Sequence, residues 1–431
     1  MTAYDYDIGI IGGGAAGLTV AAGSARLGAK TVLIEKEPAL GGDCLHYGCV
    51  PSKTLIKTAR VYHLIKQAQA FGLPEQKGGA VDFKSVHERI HSVIGKIQKH
   101  DSVERFCSLG VKVEFGRARF TDEHTVQLEG KKITARRWVL ATGSSPFVPP
   151  IRGADEIPYM TNVDLFDLTE LPRSMVIIGG GPIGIEMAQS FCRLGSSVTV
   201  VDMADQILNK EDQDMAGTLQ QRLEEEGIMF KLGVQVDELK KSGSERQVIY
   251  KTKNNTRETV SGQAVLMAVG RKPAVDDLGL DAIGVEYTKR GITVNEHMRT
   301  SQKHVYAAGD CTGGYQFTHA AGYEGGIVIS NAIFHLPRTA DYAYMPWCTY
   351  SDPELASVGM NEKGARKAGL EYDVRRESFS SNDRALAEGE AGGKIKMLLD
   401  KKEKPFGIQI LGLHAGELIN EWVAVFNGGV K

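Results

Sequence analysis

Apolar and polar positions alternate in two different rhythms along this chain, and the change of rhythm marks its elements. Asp7-Ile8-Gly9-Ile10-Ile11 reads as a buried strand. A run of small residues to about Leu27 reads as a helix, and Thr31-Val32-Leu33-Ile34 as a second strand ending at Glu35. This is a βαβ opening. Helices are expected from Pro51 to about Phe71 and from Phe83 to Leu109. In the second of these, Phe83, Val86, Ile90, Ile94 and Ile97 keep a three-or-four spacing. Short strands follow, ending in Trp138-Val139-Leu140 and then Ala141-Thr142-Gly143. A proline-punctuated connector (Pro146, Pro149, Pro150, Pro158, Pro172) separates this part from the next.

The opening pattern then returns. Met175-Val176-Ile177-Ile178 predicts a strand, a helix should run to about Leu194, and Ser197 to Val201 predicts the next strand, ending at Asp202. His304 to Ala308 reads as a strand running into Gly309-Asp310, followed by a helix from about Thr318 to His335. After Pro346 the pattern is α+β, with strands near Ile395 to Leu399 and Gly407 to Leu413 and a helix from Glu417.

Between strand and helix, each copy carries the same glycines: Gly12, Gly14 and Gly17 in the first, Gly179, Gly181 and Gly184 in the second. In each, an acid (Glu35 or Asp202) follows the last glycine by eighteen residues. The exits match as well, Ala141-Thr142-Gly143 against Ala268-Val269-Gly270. One GxGxxG alone is weak. With the strand before it, the helix after it and the acid at this distance, it is the dinucleotide fingerprint. The first glycine makes the turn, the second admits a pyrophosphate to the backbone, and the third lets helix and strand pack closely. The helix N-terminus meets the phosphates with free amides and partial positive charge. Glu35 and Asp202 would accept hydrogen bonds from ribose hydroxyls. Asp202 would repel a 2′-phosphate, and Met203, Ala204 and Asp205 offer no arginine to bind one. NADH is therefore expected over NADPH.

Composition narrows the function class. Lys plus Arg (51) nearly balance Asp plus Glu (53), for a net charge of −2, so no nucleic-acid partner is expected. Glycine is the outlier at 50 of 431 residues, without a collagen-like period. No apolar run approaches the ~20 residues of a membrane span. The first seven residues carry no basic stretch, so no signal peptide is expected. Six cysteines are too few for a secreted disulfide scaffold and suit a cytoplasmic protein.

Two of the six, Cys44 and Cys49, lie close together in Gly41-Gly42-Asp43-Cys44-Leu45-His46-Tyr47-Gly48-Cys49-Val50-Pro51-Ser52-Lys53. This spacing can close a small disulfide loop. Pro51 fits a first helical turn, which puts Cys49 at a helix N-terminus, where a thiolate is favoured. Lys53 adds positive charge nearby. Half a zinc site with His46 is the weaker reading, because zinc needs further ligands and no second close Cys or Cys/His pair exists. No metal site is assigned. Cys107, Cys192, Cys311 and Cys348 are expected to be buried as small hydrophobes.

With the Cys44 to Lys53 segment between two fingerprints, the chain resembles the pyridine nucleotide-disulfide oxidoreductases, class I. This family includes dihydrolipoamide dehydrogenase, glutathione reductase and mercuric reductase. The resemblance implies an α/β fold with two Rossmann-like dinucleotide-binding domains (glutathione-reductase-like) and a C-terminal α+β dimerisation domain. The implied boundaries are residues 1–148 and 275–343 for FAD, 149–274 for NAD, and 344–431 for the dimer interface. It implies an FAD- and NAD(H)-dependent enzyme and a homodimer. Gly12, Gly14, Gly17, Glu35, Lys53, Ala141, Thr142, Gly143, Asp310 and Thr318 would serve the FAD site. Gly179, Gly181, Gly184, Glu186, Asp202 and Gly270 would serve the nicotinamide nucleotide. Lys53 would sit by the flavin and pair with Glu186. Cys44 resembles the thiol that attacks substrate, and Cys49 the thiol that contacts the flavin.

The substrate implied is a small disulfide, as in dihydrolipoamide dehydrogenase. The alternatives are thiolate-bound Hg(II), as in mercuric reductase, or a dinucleotide-binding redox sensor without turnover. Three departures stand out. Leu45-His46-Tyr47-Gly48 replaces the family's usual residues between the cysteines, which bears on access and thiolate pKa. Pro182 stands where some members carry a gating Tyr. The family's terminal His-Pro-Thr segment and following Glu are absent, so a C-terminally incomplete last domain is expected. His414 is not assigned as catalytic.

Overall fold

The computed structural model describes residues 4–429. Its described residues form two compact units. One comprises the residues up to Pro51, Ile90–Pro146 and Arg271–Asp341; the other comprises Ser52–Arg89, Phe147–Gly270 and the residues from Tyr342 on.

The first unit is built on a seven-stranded sheet. Val111–Phe115, Thr31–Glu35, Tyr6–Ile11 and the end of Lys131–Leu140 lie side by side and parallel, with Val305–Ala307 also parallel to Lys131–Leu140. Lys131–Leu140 then turns antiparallel into Thr125–Leu128 and Ala118–Asp122. The strands are runs of Ile, Val and Leu because both faces are covered. Val32, Leu33, Val139 and Leu140 are wholly buried. Trp138 is also wholly buried and meets Phe120 edge-on at 5.5 Å, while its ring fills the space where a side chain on Gly9 would stand. Glycine at position 9 is thus a packing requirement, and Trp138→Ala would cost about 3–5 kcal/mol.

The second unit repeats the plan. Met229–Lys231, Ser197–Val201, Ser174–Ile178 and Ala264–Met267 form a four-stranded parallel sheet. A three-stranded antiparallel meander, Gln235–Ser242, Glu245–Lys251 and Arg257–Gly262, accompanies it. The last part of this unit is a five-stranded antiparallel sheet with the helix Ala415–Gly428 packed on it through Ala415, Ile419 and Phe426. The fold class expected from the sequence is the one observed.

Four expectations need correction. The helix expected over 83–109 is two, Phe83–Gln98 and Val103–Ser108. The break falls in the polar run Lys99-His100-Asp101-Ser102, where the Ser102 hydroxyl accepts from Arg105 N and caps a new helix. The helix expected from Pro51 begins at Cys49 and ends at Lys66, followed by a 3₁₀ turn, Ala68–Phe71. The helix expected over 318–335 ends at Ala332. Cys107 is exposed, because Phe106 takes the buried position of its short helix. Cys192 and Cys348 are half-buried, and only Cys311 is fully buried. Burial pushes the Cys311 thiol up to about 11.

Candidate active site: two nucleotide cradles and a dithiol

The two glycine turns have nearly the same geometry. Gly12 has φ +110° and Gly179 φ +114°, a region that L side chains rarely adopt. A methyl group at Gly17 would stand 1.8 Å from the Gly12 carbonyl oxygen, and one at Gly184 1.9 Å from that of Gly179. Only glycine lets each helix start this close to its strand. By contrast, nothing lies within 4 Å of where a Cβ on Gly181 would be, and at Gly14 only Gly42 Cα, at 3.8 Å. Gly181 therefore lines open space and Gly14 faces only the Gly42 backbone, with the N-termini of the helices Pro182–Leu194 and Ala15–Arg26 beside them. This cradle has the shape and the amide donors a pyrophosphate needs.

The acids are held alike. Glu35 accepts from Gly13 N at 2.5 Å and from Glu37 N at 2.9 Å. Asp202 accepts from Gly180 N and, at 2.7 Å, from Ala204 N. Each carboxylate is fixed by its own turn at the end of its strand.

Cys44 sits in the short helix Gly42–His46, and Cys49 opens the next helix. Cys44 and Cys49 are unbridged, and a hydrogen bond between their thiols sets the two sulfurs side by side. The neighbouring Cys49 thiol and burial push Cys44 strongly up, against a smaller opposing pull from the Thr318 hydroxyl. Thr318 Oγ1 lies 3.3 Å from Cys49 Sγ. His46 Nε2 lies 3.0 Å from the Leu40 carbonyl oxygen, so that nitrogen carries the proton. The Tyr47 ring stands 5.9 Å from the imidazole.

Asp310 follows Gly309, whose N–H donates to the buried Glu324 at 2.6 Å. Burial raises the Asp310 pKa, while a Ser144 hydroxyl bond at 2.6 Å and Arg271 work against it. Arg271 also pairs with Asp43 at 2.9 Å. Ala141 and Gly143 flank Thr142, whose hydroxyl donates to the Ala274 carbonyl at 2.6 Å. In the other unit, Lys53 Nζ lies 2.9 Å from the buried Glu186 carboxylate and 4.6 Å from the centre of the Tyr350 ring. The second oxygen of Glu186 accepts from Tyr350 N at 2.9 Å. Gly270, φ +125°, accepts from Phe147 N at 2.9 Å.

Cys44, Cys49 and Thr318 are thus brought together in the first unit, and Lys53 and Glu186 in the second. Sequence reasoning missed Asp43, Ser144, Arg271, Glu324 and Tyr350. A signal existed for two of them: Ser144 and Arg271 each directly follow one of the matched glycine exits.

Among the described residues, the one cluster able to group three metal-ligating side chains is Asp212, Asp214 and Glu362. Lys396 Nζ stands among these carboxylates, 2.9 Å from Asp212 and 2.7 Å from Asp214. It is filled by an ammonium group and belongs to the packing. No helix among the described residues is long and apolar enough to cross a membrane.

Residues 6–325 match the family described as pyridine nucleotide-disulphide oxidoreductase, and residues 345–431 match its dimerisation domain. Mercuric reductase of Lysinibacillus sphaericus is 35% identical over 419 residues, covering 96% of this chain and 76% of that protein. A dihydrolipoyl dehydrogenase of Bacillus subtilis (strain 168) is 35% identical over 428 residues, covering 98% of this chain and 92% of the relative. Among solved structures, the HOCl-induced flavoprotein disulfide reductase RclA from Escherichia coli superposes with a TM-score of 0.88 at 28% identity, over 98% of this chain and 94% of that one. A Cu(II) complex of the same reductase matches with a TM-score of 0.88 over 100% and 94%.

Proposed function

The chain belongs to the pyridine nucleotide-disulphide oxidoreductases, a family of FAD- and NAD(P)H-dependent enzymes, and on that premise we propose an NADH-dependent reductase of small disulfides. The observation that carries the reading is the adjacent Cys44–Cys49 dithiol beside Thr318, in a unit that also holds a complete nucleotide cradle. Bound FAD would supply the two-electron chemistry that links the nicotinamide to a Cys44–Cys49 disulfide. Gly12, Gly14, Gly17, Glu35, Ala141 to Gly143, Asp310 and Thr318 would hold it. Gly179, Gly181, Gly184, Asp202 and Gly270 would hold the nicotinamide nucleotide. Asp202, fixed by two amides, favours NADH because a 2′-phosphate would meet its charge. Lys53 and Glu186 form a fixed ion pair within the second unit.

The dithiol chemistry needs only the chain's own sulfurs. The Cys44 thiolate attacks one sulfur of the substrate disulfide, forms a mixed disulfide and expels one substrate thiolate. The Cys49 thiolate then attacks Cys44 Sγ, expels the second thiolate and restores the Cys44–Cys49 bond. Solvent protonates both leaving thiolates. The reverse sequence oxidises a dithiol such as dihydrolipoamide. The FAD domain is assigned to 1–148 and 275–343, the NAD domain to 149–274 and the interface to 344–431. The dimerisation-domain match supports a homodimer, and the low cysteine count suits a cytoplasmic location.

A second reading has its own support. The mercuric reductase relatives favour thiolate-bound Hg(II) as the substrate of the same two cysteines, and a structural neighbour is also solved as a metal complex, with Cu(II). NADH oxidation by the FAD-loaded protein, with lipoamide and dithiol-buffered Hg(II) in parallel, separates the two. Lipoamide turnover abolished by Cys44→Ser supports the disulfide reading. Turnover with Hg(II) alone supports the metal reading. NADH consumption with neither, or one indifferent to Cys44→Ser, contradicts both.

A further inference from the structure

We infer that Arg271 is a positioning residue of the redox site, fixing the Cys44 helix and the Asp310 carboxylate to the strand pair where the chain crosses between its nucleotide-binding segments. The inference rests on the dithiol reading above. Arg271 opens the strand Arg271–Pro273, which pairs antiparallel with Ser144–Pro146. The chain leaves for residues 147–270 after the second of these strands and returns at the first. Its guanidinium, 11% exposed, spends its donors on three neighbours. Nε donates to Ser144 Oγ at 2.7 Å, and one terminal nitrogen donates to the Ser144 carbonyl at 3.0 Å. The same terminal nitrogen lies 2.9 Å from Asp43 Oδ1, and Nε lies 3.6 Å from Asp310 Oδ2. The Ser144 hydroxyl carries the chain of bonds on to Asp310 at 2.6 Å.

The charges explain why a cation belongs here. Asp43 and Asp310 are close enough that the charge of Asp43 adds to burial in disfavouring Asp310 ionisation. Two carboxylates at a site shaped for phosphates, one of them adjacent to Cys44, oppose both an anionic ligand and a Cys44 thiolate. Arg271 offsets both charges at once. A lysine would bring one point charge and could not reach the three acceptors in the same fork.

The test follows the pH dependence of iodoacetamide labelling at Cys44, by mass spectrometry, in the reduced, FAD-loaded protein. Arg271→Met should raise the labelling midpoint and slow labelling at neutral pH by about tenfold, as expected when the Asp43 charge beside Cys44 loses the guanidinium that offsets it. It should also retain less FAD through gel filtration. Arg271→Lys should fall between Arg271→Met and the parent protein. Asp43→Asn should lower the midpoint, and Asp43→Asn with Arg271→Met should return it most of the way. An unmoved midpoint in Arg271→Met, or a double variant that labels like Arg271→Met, overturns the inference. If Arg271→Met does not fold, an unmoved midpoint in Asp43→Asn overturns it. A residue that only braced the fold would lower the melting temperature without moving the midpoint. Failure of the dithiol reading itself shows separately, as Cys44 and Cys49 in the unsubstituted protein that NADH cannot reduce.

Discussion

The two nucleotide turns share one design and differ in what lies over them. At the first, the loop leading to Cys44 folds onto the cradle: a methyl group on Gly42, at φ +60°, would stand 2.6 Å from Gly14 Cα. At the second, nothing lies within 4 Å of Gly181, and Pro182 simply opens the helix at N1. The first turn is therefore packed against the Cys44 loop, whereas the second has no such cover at Gly181. On the function proposed above, this difference predicts a more firmly held nucleotide at the first turn than at the second.

The largest effects should come from the glycines both turns need. Gly17→Ala and Gly184→Ala each force a methyl group into a backbone oxygen, with an expected loss upwards of about 3 kcal/mol. The comparison predicts different functional losses. Gly17→Ala should be purified without the visible absorbance of FAD, whereas Gly184→Ala should keep that absorbance and lose NADH binding. Identical behaviour of the two would break the contrast.

Next come two partly buried aspartates, one in each unit. Burial would push Asp352 up, but the Arg193 and Arg60 guanidiniums outweigh it and hold it below its ordinary 3.8. Arg193 Nη1 lies 2.7 Å from it, and Arg60 Nε 3.5 Å. A depressed folded pKa stabilises the fold above the unfolded value and is lost as pH falls through the folded one. Asp352→Asn should therefore cost about 3 kcal/mol at neutral pH, with the difference from the parent shrinking below about pH 4. Asp310 is shifted the other way, by burial first. Its ionisation opposes folding, so its contribution is full below the unfolded pKa and declines as pH rises through the folded one. Asp310→Asn should leave urea stability at neutral pH within about 1 kcal/mol of the parent and weaken FAD retention. Urea titrations across pH check both.

Smaller effects sharpen the second cradle. Asp202→Ala should lower the preference for NADH over NADPH by about tenfold in kcat/KM, equivalent to about 1.4 kcal/mol. Gly181→Ala meets open space and should change the melting free energy by under about 0.5 kcal/mol. It should raise the KM for NADH, because the methyl group would occupy the ligand's side of the turn. Gly42→Ala, its counterpart over the first turn, should instead loosen FAD.

The duplicated architecture was legible because it depends on backbone requirements that few residues meet. Gly12 and Gly179 must take positive φ, and Gly17 and Gly184 must pass a carbonyl oxygen, so the spacing survives in plain sight. The thiol pair was legible for a similar reason, as two reactive groups within one short segment. Arg271 was not. Its partners Asp43, Ser144 and Asp310 lie far apart in sequence and meet only after the sheet and the two-strand ribbon form. The break at Lys99 to Ser102 was missed because the apolar spacing runs on to Ile97 and then resumes at Val103 and Phe106, hiding a cap made by one serine hydroxyl. Exposed Cys107 shows the same limit: residue type suggested burial, and the helix face decided otherwise.

The most direct test of the account is to add NADH anaerobically to the oxidised, FAD-loaded protein and then alkylate. Mass spectrometry should find Cys44 and Cys49 blocked before NADH and both labelled after it, with Cys107, Cys192, Cys311 and Cys348 unchanged. If NADH bleaches the flavin while Cys44 and Cys49 stay bridged, the cysteine pair is not on the electron path and the central claim fails.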